Sequence, residues 1–382
     1  MTSPRERAER WLLTSGIYVL DKNDPNYGGV YSYYNWNTKS YELVDSEGTG
    51  YAISMLKYLH SFSKDEALTE LATASGDWLG RVCERNGGVI AMGMQDGRDV
   101  REAYAFDNGI CCKGLLDLYA LTGNRKYLEY AERVADWLVD RALNENGSVK
   151  PVLNVESGTF YEDESIWYKV GGSFHSKIGM SLLQLHSINR SGKLRNAAMK
   201  MCGWALGQQE PDGSFCANRA RKSVNLHFHC YTVEALLYAY ASQKSRELLG
   251  AVERAVEWLA RAQEADGGFW LWRHESMWKR RKASYVVAQA VRIFLTLHAL
   301  NRRDELVEAA RKAAGFLVSM QVTGGDRRTA GGFFEEGIPR YALAARQGRR
   351  VTSWATMFAI HALSLLENRE SADFAQAVGG LF

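Results

Sequence analysis

His227, His229 and Tyr231 fall within five consecutive residues, and His175 stands before another apolar stretch. A neutral imidazole or a tyrosinate can take a proton from the carbon beside a uronate carboxylate, the step that begins glycan elimination and C5-epimerisation. Residues four apart on a helix share a face, so His227 and Tyr231 should project together. One of His227 and His229 is the expected base. Carboxylates offer a rival chemistry: Asp45 or Glu47 with Asp107 could serve glycoside hydrolysis, whose stereochemical outcome follows their separation. Asp107, ahead of Asn108 and Gly109, also reads as a helix N-cap, and Glu162, Asp163 and Glu164 as a solvated loop. The histidines and Cys230 lack a regular ligand spacing, so neither metal nor cofactor is expected.

Groups suited to holding a sugar surround these residues in sequence. Tyr34, Trp36, Trp272 and Trp354 offer aromatic faces to sugar C–H bonds, and Arg221, Arg281 and Arg340 offer planar forks to carboxylate or phosphate. The expected ligand is an acidic saccharide or polysaccharide.

The elements that position these residues emerge from a repeat. An aromatic followed by a small or apolar residue recurs at Trp11, Trp78, Trp137, Trp204, Trp258 and Phe316, separated by 67, 59, 67, 54 and 58 residues on subtracting those numbers. Each is followed by a glycine turn and a hydrophobic residue: Gly28-Gly29-Val30, Gly87-Gly88-Val89, Gly147-Ser148-Val149, Gly213-Ser214-Phe215, Gly267-Gly268-Phe269 and Gly331-Gly332-Phe333. Between the signatures lie helices apolar all round, near Thr49 to His60, Asn108 to Leu121, Phe174 to Ile188, His229 to Ala241, Ser284 to Leu300 and Thr352 to Leu366. Such helices are buried. The stretches before them, such as Arg125 to Arg141 and Arg246 to Gln263, are amphipathic and form an outer layer. The pattern predicts an all-α chain of twelve main helices, an (α/α)6 toroid of inner and outer rings in a single domain over residues 1–382, with short β-hairpins in the long loops of one rim. Inner-to-outer links are short and outer-to-inner links are long, which places the site on the elaborate rim beside the inner-helix N-termini.

Several stretches resemble a family of α/α-toroid proteins from prokaryotic polysaccharide-biosynthesis clusters, within the six-hairpin glycosidase and prenyltransferase-like superfamily. They are Phe106-Asp107-Asn108-Gly109 with Leu115 to Tyr119, Phe174-His175-Ser176-Lys177, His229 to Leu236, and Ser353 to Phe358. The resemblance implies the fold and a saccharide context. Gln209 to Phe215 and Gln263 to Phe269 also resemble the glutamine-aromatic repeats of terpenoid cyclases, without a cyclase's aspartate-rich acid motif.

Composition sets the outer bounds. The 382 residues are 46% hydrophobic, and 47 basic against 44 acidic side chains leave a net charge of +3, so no global field favours nucleic acid. No apolar run reaches spanning length, and no leader is read at the N-terminus. Six cysteines without a CxxC pair read as reduced thiols, for which a cytoplasmic location is expected. Self-association is left open. The expected activity is lyase- or epimerase-like proton abstraction on a uronate-containing saccharide; the alternatives are a glycoside hydrolase and a non-catalytic glycan-binding protein.

Overall fold

The computed structural model describes residues 2–95, 98–218, 220–273, 281–337, 350–370 and 373–382. They group into two compact units, each drawn from segments distant in sequence. One comprises Met1–Ile17, Tyr33–Tyr41 and Gln208–Leu381; the other comprises Tyr18–Ser32, Glu42–Gly207 and Phe382.

The first unit opens with α1 (Pro4–Thr14), started by a capping box in which Ser3 and Glu6 exchange hydrogen bonds. The second unit holds α2 (Ser46–Ser63), α3 (Glu66–Arg85), α4 (Ala105–Thr122), α5 (Arg125–Trp137), α6 (Ile178–Asn189) and α7 (Gly192–Leu206). The first unit resumes with α8 (Leu226–Gln243), α9 (Arg246–Arg261), α10 (Ser284–Asn301), α11 (Asp304–Ser319), α12 (Ser353–Glu367) and the short α13 (Phe374–Gly379). All twelve predicted helices are present, with α13 as an addition. The third inner helix opens as a 3-10 turn, Ser173–Lys177, before α6.

Within the second unit α2, α4 and α6 lie side by side, backed by α3, α5 and α7. Within the first, α10 lies between α8 and α12, with α9, α11 and α1 behind them. Inner helices are buried all round: every residue of α10 from Ser284 to His298 is covered. The outer helix α9 buries only Leu248, Ala251, Val252, Ala255, Val256, Trp258 and Leu259, the apolar stripe of a surface helix. Each large aliphatic side chain so covered stabilises by roughly 1.5–3 kcal/mol. The short links close through left-handed residues at Lys64, Gly123, Arg190, Lys244 and Arg302.

The repeat signature has a physical basis. Gly28 and Gly331 have φ of +94° and +105°, and a Cβ there would fall 2.0 Å from the Ala74 carbonyl oxygen and 2.3 Å from that of Arg7. These carbonyls lie one helical turn before Trp78 and Trp11. The same approach is made by Gly147 to Lys200, Gly213 to Arg254 and Gly267 to Lys312. Thus in five of the six repeats the glycine packs on the outer helix of the next, where only glycine accepts both the dihedral and the contact, whereas Gly88 of the second has φ +100° without a close approach. Gln209, Gln263 and Gln321 bind these turns: each side-chain amide donates both to the carbonyl of Gly213, Gly267 or Gly331 and to an outer-helix carbonyl, that of Ala251, Ala309 or Pro4.

The long connections carry short antiparallel pairings, among them Val152–Asn154 with Thr159–Tyr161, and Tyr33 to Asn35 with Arg350–Thr352. Among the described residues no helix is long and apolar enough to cross a membrane, and the six cysteines are free thiols.

Candidate functional site

In the first unit the second residues of three neighbouring inner helices, His227, Tyr285 and Trp354, meet as one aromatic cluster. The His227 ring lies 4.1 Å from that of Tyr231, 4.6 Å from Tyr285 and 5.5 Å from Trp354, the last nearly parallel at 27°. Tyr285 and Trp354 are 4.3 Å apart. Asn225 fixes the start of α8 by accepting from the backbone N–H groups of His227 and Phe228 at 2.9 and 3.2 Å. The expected sharing of a face by His227 and Tyr231 is what the structure shows.

Beneath the cluster, His227 Nδ1 lies 2.6 Å from Gln289 Oε1. The Gln289 amide donates to Glu234 Oε2 at 3.4 Å, and Glu234 Oε1 faces Arg292 at 3.3 Å. The last two side chains are wholly buried, and the Arg292 guanidinium also rests over Phe358, 4.6 Å from its centroid. Near Tyr285, burial pushes the Glu335 carboxyl up to about 7, against the opposing pull of Arg350. Burial and the neighbouring Glu335 and Glu336 carboxylates push the Tyr285 phenol well above its ordinary range.

His229 does not share this cluster. Two residues along a helix turn the side chain by about 200°, and His229 faces α9. Its Nδ1 accepts from the Phe215 backbone N–H at 3.3 Å, its Nε2 lies 3.2 Å from the Ala255 carbonyl, and its ring packs 4.8 Å from Trp258. Burial lowers its pKa to about 4.

The second unit gathers a different set. Asp45 caps α2, accepting from the Glu47 backbone N–H at 3.1 Å, and burial pushes its carboxyl up to about 6. The Asp107 carboxyl is raised well above the usual range, first by burial, then by the Glu47 and Asp45 charges. Asp107 is not the cap expected of it: Tyr104 holds the N-cap position of α4, without a side-chain cap bond, and Asp107 lies inside the first turn. Asn108 fastens that turn by bonding both backbone groups of Ile90. His175 engages Gly172 through Nδ1 and packs 4.0 Å from Phe174; its buried Nε2 finds no hydrogen-bond partner among the described residues, and burial lowers its pKa to about 4.

Of the expected sugar-holding residues, Trp354 belongs to the His227 cluster. Tyr34 is buried, set edge-on to Tyr41 at 5.2 Å with the Arg328 guanidinium 5.1 Å above its ring, which makes it a packing residue. Trp36 packs 5.9 Å from Phe334. Trp272 is half-buried and paired through its backbone with Asn225. Arg221 stands exposed in its loop, its backbone bonded to Asn218. Arg281 is paired with Glu336 at 2.9 Å. Arg340 lies outside the described residues.

A family model described as the prenyltransferase alpha-alpha toroid domain matches residues 172–325. No curated protein matches the sequence. Among solved structures, the chain resembles an unsaturated glucuronyl hydrolase specific for heparin, with TM-score 0.73, 14% identity, and coverage of 97% of this chain and 98% of that one. It resembles cellobiose 2-epimerase from Bacillus thermoamylovorans B4167 with TM-score 0.76, 12% identity, and coverage of 95% and 99%. The cellobiose 2-epimerase of Spirochaeta thermophila DSM 6192 gives TM-score 0.74, 17% identity, and coverage of 96% and 97%. The chain therefore has an α/α-toroid fold. Identities this low speak to the fold alone.

Proposed function

We propose that the protein is a carbohydrate-active enzyme that moves a proton at a sugar carbon, with His227 as the base. The observation that carries this reading is the 2.6 Å contact of His227 Nδ1 with Gln289 inside a cage of three aromatic rings. Such a ring is held in one orientation beside surfaces that accept sugar C–H faces. In the reaction Nε2 takes the proton from the carbon next to a carbonyl or carboxylate, leaving an enolate. The enolate then either regains a proton, inverting the centre, or expels the substituent one carbon further on, forming a double bond. Glu335, a neighbour of Tyr285 whose carboxyl burial pushes up to about 7, is suited to hold a proton in such an exchange. The proposed substrate is an acidic, uronate-containing saccharide, with Arg221 and Trp272 proposed as contacts to it. The same proposal takes residues 1–382 as one domain and the protein as cytoplasmic.

A second reading is favoured by one observation, the buried Asp107 carboxyl, raised first by its burial and then by the neighbouring Glu47 and Asp45. A protonated acid beside a charged carboxylate is the equipment of glycoside hydrolysis. A panel of uronate-containing and neutral oligosaccharides, incubated with the protein in deuterated water, separates the readings. Deuterium at a sugar carbon, or the ultraviolet absorbance of an unsaturated uronate, is expected. New reducing ends with neither signal would overturn proton abstraction in favour of hydrolysis, and binding without any product would make the protein a glycan-binding one.

A further inference from the structure

The cluster beneath His227 is costly unless it serves an end. Arg292 and Glu234 are both wholly buried, and a buried ion pair generally gains little over well-packed apolar residues of similar volume. Their position suggests what they do. A carboxylate only accepts hydrogen bonds, so the Gln289 group 3.4 Å from Glu234 Oε2 must be the NH2. This orients the amide and turns the Gln289 carbonyl towards His227 Nδ1, 2.6 Å away. A carbonyl also only accepts, so the proton of the neutral imidazole must sit on Nδ1 and the basic lone pair on Nε2.

We infer that Arg292, Glu234 and Gln289 form a positioning relay that locks His227 in its Nδ1–H tautomer, so that Nε2 is the atom that receives the substrate proton. The directions of the Glu234–Gln289 and Gln289–His227 hydrogen bonds follow from the one group that cannot donate, Glu234, which Arg292 meets as an ion pair at 3.3 Å. Arg292 pairs with Glu234, Glu234 keeps Gln289 from flipping, and Gln289 keeps the imidazole from rotating or changing tautomer. Phe358 under the guanidinium and Tyr231 against the imidazole close the two ends. The relay spans α8 and α10, so the packing of these two helices sets the aim of the base. None of the three relay residues touches substrate in this scheme.

The inference rests on His227 as the base for its effect on turnover, whereas the tautomer itself is read on the protein alone. In the full chain carrying isotope-labelled histidine, nuclear magnetic resonance of the imidazole nitrogens should show His227 as the Nδ1–H form at neutral pH. Gln289→Leu removes the acceptor and should shift His227 towards the Nε2–H form, with turnover of a saccharide substrate falling on the order of a hundredfold or more, as when the orienting partner of a catalytic imidazole is lost. Gln289→Glu retains the acceptor and should restore the tautomer. An Nε2–H form in the wild type, or an unchanged tautomer in a folded Gln289→Leu protein, would overturn the relay. So would Gln289→Leu changing the tautomer with turnover intact while His227→Ala is inactive. If His227→Ala is fully active with the tautomer as stated, it is the assignment of the base that falls.

Discussion

Replacing His229 by alanine should unfold the protein more readily without touching chemistry. The imidazole satisfies two backbone groups that water cannot reach, the Phe215 N–H at 3.3 Å and the Ala255 carbonyl at 3.2 Å. Removing the ring orphans the Phe215 N–H, at about 1–3 kcal/mol, whereas the Ala255 carbonyl keeps its bond within α9. The ring also fills space between Phe215 and Trp258, and a large-to-small change in a core costs about 2–5 kcal/mol. Even the lower ends together give about 3 kcal/mol, a large share of the roughly 5–15 kcal/mol that holds a folded protein together. The loss should depend on pH. Burial holds the folded-state pKa near 4, below the ordinary 6.5, so the neutral ring's contribution is complete above pH 6.5 and is withdrawn as pH falls from 6.5 towards 4. At about 1.4 kcal/mol per pKa unit, roughly 3 kcal/mol disappears over that window. Urea unfolding of wild type and His229→Ala at neutral and acid pH measures both effects, and the gap should narrow on acidification. His229→Gln, which can bond both backbone groups, should recover part of the loss. A His229→Ala protein within about 1 kcal/mol of wild type, or one that keeps its stability and loses turnover, would refute the reasoning.

Two further outcomes follow from the charges. Asp117→Ala should destabilise by about 3–5 kcal/mol in urea unfolding, because it strands the buried Lys113 ammonium now 2.9 Å from Asp117. Arg281→Ala exposes the Glu336 carboxylate it now neutralises, so calorimetric binding of acidic sugars should weaken more than that of neutral ones, by the two- to fivefold that an exposed pair of about 0.5–1 kcal/mol allows; equal loss for both would make the arginine a shape contact.

Much of this architecture is written in the sequence because its signals are local. All-round apolar stretches fixed the inner helices to within a few residues, and the Ser284 start of α10 was placed without error. The aromatic and glycine signatures were visible although their contact, between one repeat's turn and the next repeat's outer helix, was not. The 3.6-residue period brought His227 and Tyr231 together but gave no way to say which of His227 and His229 faced inward, since that depends on the rotation of α8 against α9. Asp107 was misread as a cap because its Asn and Gly neighbours suit a turn, whereas the helix had begun two residues earlier. Gln289 and Arg292 are polar residues in the middle of a mostly apolar α10, three apart and so on one face. Tyr285 and Trp354 occupy the same helix position as His227, which aligning the inner-helix starts would have exposed. Glu335 left no trace beyond following Gly331-Gly332-Phe333; its raised pKa comes from burial between segments that sequence does not bring together.

The central claim, proton transfer by His227, is tested most directly by following deuterium uptake from solvent into a turned-over saccharide for wild type, His227→Ala and Asp107→Asn. General acid–base catalysis supplies about two to four orders of magnitude, so uptake in folded His227→Ala should fall by roughly a thousandfold while Asp107→Asn retains most of it. Full uptake in His227→Ala, or abolition in a folded Asp107→Asn with His227→Ala active, would contradict the account and transfer the chemistry to the carboxylates.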